Sequence, residues 1–145
     1  SNRHFKIKSD DITNPRIGQK FDMITCISVL EHIPTHREAL KGMFSLLNPG
    51  GQIILTFPYN EHTYHPDIYR HPQAGYGQQH PFIGQVYSRN EVNSWLADND
   101  GVILKQLYYE AFAGDFWTMG DPIYPLRETS VTSRHHLTCL LLAKT

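Results

Sequence analysis

The chain has little that would tie it to a membrane, a nucleic acid or an oxidising compartment. Of its 145 residues only two are cysteines, Cys26 and Cys139. Both sit in apolar, strand-like runs and read as free thiols in a reducing compartment, not as a disulfide framework. No apolar run reaches the roughly 18 residues that a membrane helix needs. Thirteen basic side chains are offset by fourteen acidic ones, a net charge of −1. That balance predicts no nucleic-acid partner and no anionic membrane. There is no internal repeat and no low-complexity tract. The expectation is one soluble, cytoplasmic domain over residues 1–145, long enough to build a core. Nine histidines are many; below a pH of roughly 6.5 they turn the balance positive.

What is present is organised around Phe21-Asp22-Met23-Ile24-Thr25-Cys26-Ile27-Ser28-Val29-Leu30-Glu31-His32-Ile33-Pro34. An unbroken apolar block rich in β-branched residues suits a strand buried on both faces. The polar step after it, Ser28 and then Glu31-His32, falls at the strand's carboxyl end, where open α/β sheets bind ligands. Thr35-His36-Arg37-Glu38 has the pattern of a capping box. Leu40, Met43, Phe44 and Leu47 follow on one helical face, and Asn48-Pro49-Gly50-Gly51 stops that helix. Gln52-Ile53-Ile54-Leu55-Thr56-Phe57 reads as a second buried strand, which completes a strand–helix–strand unit. Further on, Ser88-Arg89-Asn90-Glu91 is a second capping box, opening a helix that Asn99-Asp100-Gly101 ends. Strands follow at Val102–Glu110 and His135–Ala143, and Phe5–Ile12 alternates like a short strand running into an acidic turn.

The paired strands, with Leu30-Glu31-His32 after the first and Leu46-Leu47-Asn48-Pro49-Gly50-Gly51 before the second, resemble the second half of a class I S-adenosylmethionine-dependent methyltransferase. The likeness is to the broad small-molecule group of that superfamily. It implies an α/β fold with a partial Rossmann-like sheet, three-layer and mostly parallel, with an antiparallel final strand. The implied strand order is organising strand, second strand, final strand, then the Val102 strand at the edge. It also implies S-adenosylmethionine as cofactor in the complete protein. Asp10, Asp11 and Ile12 match the place where the family holds the adenine, the carboxylate accepting from the exocyclic amine. Ile27, Ser28, Val29 and His32 match the floor of the cofactor site. Aspartates also commonly cap turns, and that bland reading stands beside the first.

The resemblance equally marks what is missing. The family's cofactor site begins with a glycine-rich turn and an acid that holds the ribose, and this chain has neither. The expectation is a carboxyl-terminal portion that binds cofactor poorly, or not at all, by itself. The organising strand is then left with a bare edge, and a bare apolar edge recruits a partner. Pairing with a second copy, as a homo-oligomer, is the expected outcome.

Two segments lack periodicity. Residues 58–87 are dense in His, Tyr, Pro and Gly and follow a strand at its carboxyl end. A loop of this length is uncommon unless functional, so it reads as a substrate-binding or lid insert. Residues 111–133 form a second irregular insert. His32, Tyr59 and His62 are the candidate catalytic groups for deprotonating a small acceptor, a sugar or another polar hydroxyl or amine. Two other readings stay open. One is a non-catalytic oligomerisation or remnant module. The other is a metal-binding domain built on His62, His65, Asp67, His71 and His80, although no compact ligand signature is present and no metal site is assigned.

Overall fold

The computed structural model describes residues 3–145. Five strands and two α-helices follow one another: β1 (Phe21–Ile27), α1 (His36–Ser45), β2 (Leu47–Pro58), α2 (Arg89–Asn99), β3 (Gly101–Phe112), β4 (Pro122–Thr129) and β5 (Leu137–Lys144). They form one sheet in the order β1-β2-β5-β3-β4. The expected order of four strands is present. The Val102 strand, however, is not at the edge: β4, inside the stretch read as irregular, pairs outside it in a hairpin. Glu110 and Arg127 face each other across that hairpin and are joined at 2.5 Å.

The Rossmann-like methyltransferase sheet is as expected, but it is neither mostly parallel nor three-layered. Only β1 and β2 are parallel neighbours; β5 runs antiparallel to both β2 and β3, and β4 is antiparallel to β3. The steps β1 to β2 and β2 to β3 move across the sheet in the same direction. Right-handed crossovers must then lay both helices on one face. A second helical layer needs a reversal of direction, as at a topological switch point, and these strands contain none. The two helices pack on each other. Trp95 Nε1 donates to His36 Nδ1 at 2.9 Å, and Arg37 pairs with Asp98 at 2.7 Å.

The core lies between this helical layer and one face of the sheet. Leu40, Met43, Phe44 and Leu47 are buried as their spacing predicts, with Val92 and Trp95 from α2 and Ile53, Leu55, Phe57, Leu140 and Leu142 from the sheet. Each large apolar side chain buried here contributes about 1.5–3 kcal/mol. The opposite face has no helix on it among the described residues. Its rows run Met23–Gln52–Ala143–Val102 and Ile27–Thr56–Cys139–Leu107 across the strand register. Met23, Ile27 and Val102 are exposed, and Cys139 is only half-buried while Cys26 is buried in the core. The organising strand is therefore covered on one face only, and its outer edge is unpaired among the described residues.

Three local expectations are corrected. Phe5–Ile12 forms no strand; it runs as coil into a turn, with Ile7 88 % exposed, and pairs with no strand among the described residues. Thr35 does not cap α1: its backbone (φ −88, ψ 55) lies outside the extended region in which an N-cap side chain reaches the helix. Ser88 does cap α2, its N–H donating to Glu91 Oε2 at 2.7 Å. Finally, β2 begins at Leu47 rather than Gln52. Leu47 pairs with Phe21, and a register shift absorbs the glycines, Gly50 taking φ +74.

Candidate functional site

The site is built at the carboxyl end of β1. Ser28 adopts φ +52, a left-handed turn held by hydrogen bonds from its N–H to Thr56 O (3.0 Å) and Thr56 Oγ1 (3.1 Å). Thr56 is the β2 neighbour of Ile27, so the parallel pairing itself fixes this turn. The flanking apolar residues face solvent: Ile27 is 52 % exposed and Val29 50 %. Together they make an open crest, next to which a 3-10 turn, Leu30–His32, brings in the Glu31-His32 pair.

His32 is set by the insert. Its Nδ1 lies 2.7 Å from Ile83 O. A carbonyl only accepts, so Nδ1 carries the proton and Nε2 is left with a lone pair. The ring meets Phe82 edge-on, with centroids 4.7 Å apart, and its side chain keeps 32 % exposure. Residues 58–87 thus reach the turn after β1. Gln85 is the tether: its N–H donates to Glu31 O at 2.9 Å, and its Nε2 donates to Ile33 O at 2.9 Å and to the Tyr87 hydroxyl at 3.0 Å. Gln85 Oε1 accepts from Tyr64 at 2.7 Å, so both polar atoms of this buried side chain are used. The sequence reading missed Phe82, Ile83 and Gln85. A glutamine amid aromatics in an aperiodic stretch carries no signal that could have found them.

The insert has its own small core. Ile68, Tyr69, Val86 and Met119 are buried together, with Phe116 and Trp117 against them. Tyr69 lies between Gly77 and Gly84, at each of which a Cβ would fall within 2.5 Å of its ring. Both irregular segments therefore contribute to one structure.

The other candidates separate. Tyr59 is fully buried, and its hydroxyl donates to Glu61 Oε2 at 2.6 Å. Burial pushes this phenol far above its ordinary range. Glu61 pairs with Arg89 at 3.0 Å, which also reaches Gln106 (2.7 Å) and Tyr108 (3.0 Å). This network ties the start of the insert to α2 and β3. His62 is exposed in the turn that Asn60 Oδ1 closes by accepting from the N–H groups of His62 and Thr63. Among the described residues no three His, Cys, Asp or Glu side chains converge to hold a metal ion. The metal reading therefore finds no ligand set.

Asp10, Asp11 and Ile12 sit on a turn that packs against α1. A Cβ at Gly42 would lie 1.7 Å from Ile12 O, so only glycine permits this approach. Asp10 accepts from the N–H of Asp11 (2.9 Å), Arg16 (3.0 Å) and Ile17 (2.9 Å). Those bonds, the Ile17 one foremost, hold its carboxyl below the usual range. Asp11 Oδ1 accepts from Thr13 N (2.9 Å) and Thr13 Oγ1 (2.7 Å), the side-chain bond being the main cause of its own lowered pKa. Both residues do cap a turn. Asp10 is nearly saturated, while Asp11 Oδ2 keeps its acceptor capacity. A groove of about 670 Å³ opens here, lined by Lys8, Asp10, Asp11, Arg16 and Ile17. For the cofactor that the resemblance implies, the crest fits a floor and Asp11 Oδ2 fits an amine acceptor. Asp10 fits less well.

Comparison with known proteins bears on the fold and the family. The chain is similar to the N-methyltransferase NodS of Bradyrhizobium japonicum, solved with S-adenosylhomocysteine: 13 % identical, TM-score 0.51, covering 92 % of this chain and 51 % of that one. It is also similar to a S-adenosylmethionine-dependent methyltransferase of Clostridium acetobutylicum, 14 % identical with a TM-score of 0.56, covering 94 % of this chain and 63 % of that one. These likenesses show the fold. A ubiquinone biosynthesis O-methyltransferase of Coxiella burnetii is 40 % identical over 39 residues, which are 27 % of this chain and 17 % of that protein. The chain thus spans 51 % and 63 % of the chains in these two structures, and its match covers 17 % of the curated relative. Residues 2–106 match the family described as a methyltransferase domain. That match covers well over half of the sequence, and the chain belongs to this methyltransferase family.

Proposed function

We propose that this chain is the acceptor-side portion of an S-adenosylmethionine-dependent methyltransferase acting on a small molecule, and that it is inactive alone. The observation that carries the reading is the open crest Ile27-Ser28-Val29 with His32 beside it. When bound, the cofactor supplies an electrophilic methyl group. Ile27, Ser28, Val29 and His32 would line it from below, and Asp11 Oδ2 would accept from its adenine amine. His32 Nε2 has the lone pair needed to take a proton from an acceptor hydroxyl or amine, a contribution of about 10²–10⁴ in rate. Tyr76 and Phe82, both exposed on the insert, offer ring faces to a sugar or similar acceptor. The buried, bonded Tyr59 hydroxyl suits a structural role better than the catalytic one, and His62 stands in an exposed turn.

Calorimetric titration of S-adenosylmethionine and S-adenosylhomocysteine into the chain tests this reading. The expected result is no saturable binding from a sample that melts cooperatively. One-to-one binding would show that the half-site is complete after all. In the longer protein, His32→Gln lowers kcat with KM little changed; an unaltered kcat removes His32 as the base.

A second reading, an oligomerisation module, is favoured by one observation: β1 has a bare edge continuous with an uncovered apolar sheet face. Self-association there, as a homo-oligomer, would hide both. A monodisperse monomer in light scattering counts against it.

A further inference from the structure

Glu31 is buried, its side chain 7 % exposed, and Oε2 has no hydrogen-bond partner. It is the only carboxylate among the described residues with a buried orphaned oxygen. The other oxygen, Oε1, lies 3.9 Å from His32 Nε2, the only ion pair Glu31 makes among the described residues. The backbone around it is already committed: Leu30 O accepts from Tyr87 at 2.7 Å and Glu31 O from Gln85 N at 2.9 Å. The carboxyl group is thus not needed to hold the turn.

We propose that Glu31 is a positioning residue that acts through His32, its carboxylate compensating the charge the imidazole gains on accepting a proton. This rests on the base role given to His32 above. The proton leaves the acceptor's O–H or N–H bond, forms the Nε2–H bond, and passes afterwards to solvent. The separation of 3.9 Å is too long for a hydrogen bond and suited to a charge pair. The other titratable groups near Glu31 are Cys26, Tyr69 and Tyr87, and burial raises each of them, so all three stay neutral and leave imidazolium as the only nearby counter-charge. Burial likewise raises the Glu31 carboxyl, and the His32 charge works against that rise.

The test is a pH titration of the Glu31 side-chain carboxyl carbon by NMR, in the wild type and in His32→Gln. His32 is one-third exposed, so the glutamine variant is tolerated by the fold. In the wild type the Glu31 resonance should shift a second time at the pH where the His32 ring protonates. In the variant that second inflection disappears and the Glu31 midpoint rises, because the imidazolium charge that opposes the effect of burial is gone. Identical single-step curves in both proteins would overturn the pairing. Should the variant lose its fold, the wild-type curve decides: two steps support the pair and one step removes it. No turnover is needed, so the outcome is independent of whether methyl transfer itself is confirmed.

Discussion

The amino-terminal margin and the insert after β2 behave in opposite ways. Phe5–Ile12 has the alternation of a strand and is exposed coil. Residues 58–87 have no period and hold a packed core around Tyr69 and a saturated hydrogen-bond set around Gln85. The difference lies in the neighbours. A strand needs an edge to pair with, and Phe5–Ile12 pairs with none among the described residues. The insert meets the turn after β1 and the Phe116–Met119 segment, and both receive its side chains. Periodicity reports what a segment can pair with; burial reports whether the pair is there.

The sharpest way to break this contrast is Tyr69→Ala. It leaves a cavity walled by Gly77 and Gly84, which cannot fill it. The expected loss is about 3–5 kcal/mol, read as a fall in the denaturation midpoint with loss of amide protection across residues 64–86. Retained protection there would mean the insert is ordered by something other than its core. Tyr87→Phe comes next. It keeps the ring but removes one of the two hydrogen bonds to Leu30 O, which keeps the Ile33 N–H, and one from Gln85 Nε2, which keeps Ile33 O; it should cost about 0.5–1.5 kcal/mol, while loosening the Gln85 tether.

The histidines sharpen the comparison through pH. His136 accepts from the Ala111 N–H at Nδ1 (3.0 Å), and its Nε2 lies 2.7 Å from Gly114 O, so it is held as the neutral ring. Burial lowers the pKa of His36, His65 and His136. A depressed folded-state value means that the unfolded chain takes up protons first. Their stabilisation is complete above about 6.5 and is lost as pH falls through that value and then through the folded ones. Chemical denaturation at pH 8, 6.5 and 5 should show this decline, and His136→Gln should flatten it. A decline unchanged in the variant places the acid sensitivity elsewhere. The smallest effect is at the margin: Ile7→Ser should alter stability by less than about 0.5 kcal/mol. A larger loss would show that Ile7 has a partner after all.

How much was legible follows the same line. The β1–α1–β2 unit, the Leu40–Leu47 stripe and the Ser88 cap were readable because local pattern and long-range packing agree there. That Ile27, Ser28, Val29 and His32 lie at the carboxyl end of the first strand was readable from their place after it. β4 was hidden: Pro122-Ile-Tyr-Pro carries two prolines, which argue against a strand, and only at a sheet edge are they tolerated. The engagement of Asp10 by the N–H groups of Arg16 and Ile17 was hidden too, since a carboxylate's donors six and seven residues away leave no trace in spacing.

The one-sided sheet has a consequence for how such a protein can be rearranged. With both helices on one face and the β1 edge unpaired among the described residues, the boundary with a preceding segment would be that strand edge and the uncovered face of the sheet. Such a joint can be exchanged as a unit. Grafting this segment behind the leading half of another member of the family need match only the β1 edge and the Met23–Ile27 side of the sheet. The insert and its aromatic core would travel with the graft, so that region could be exchanged without redesign of the rest.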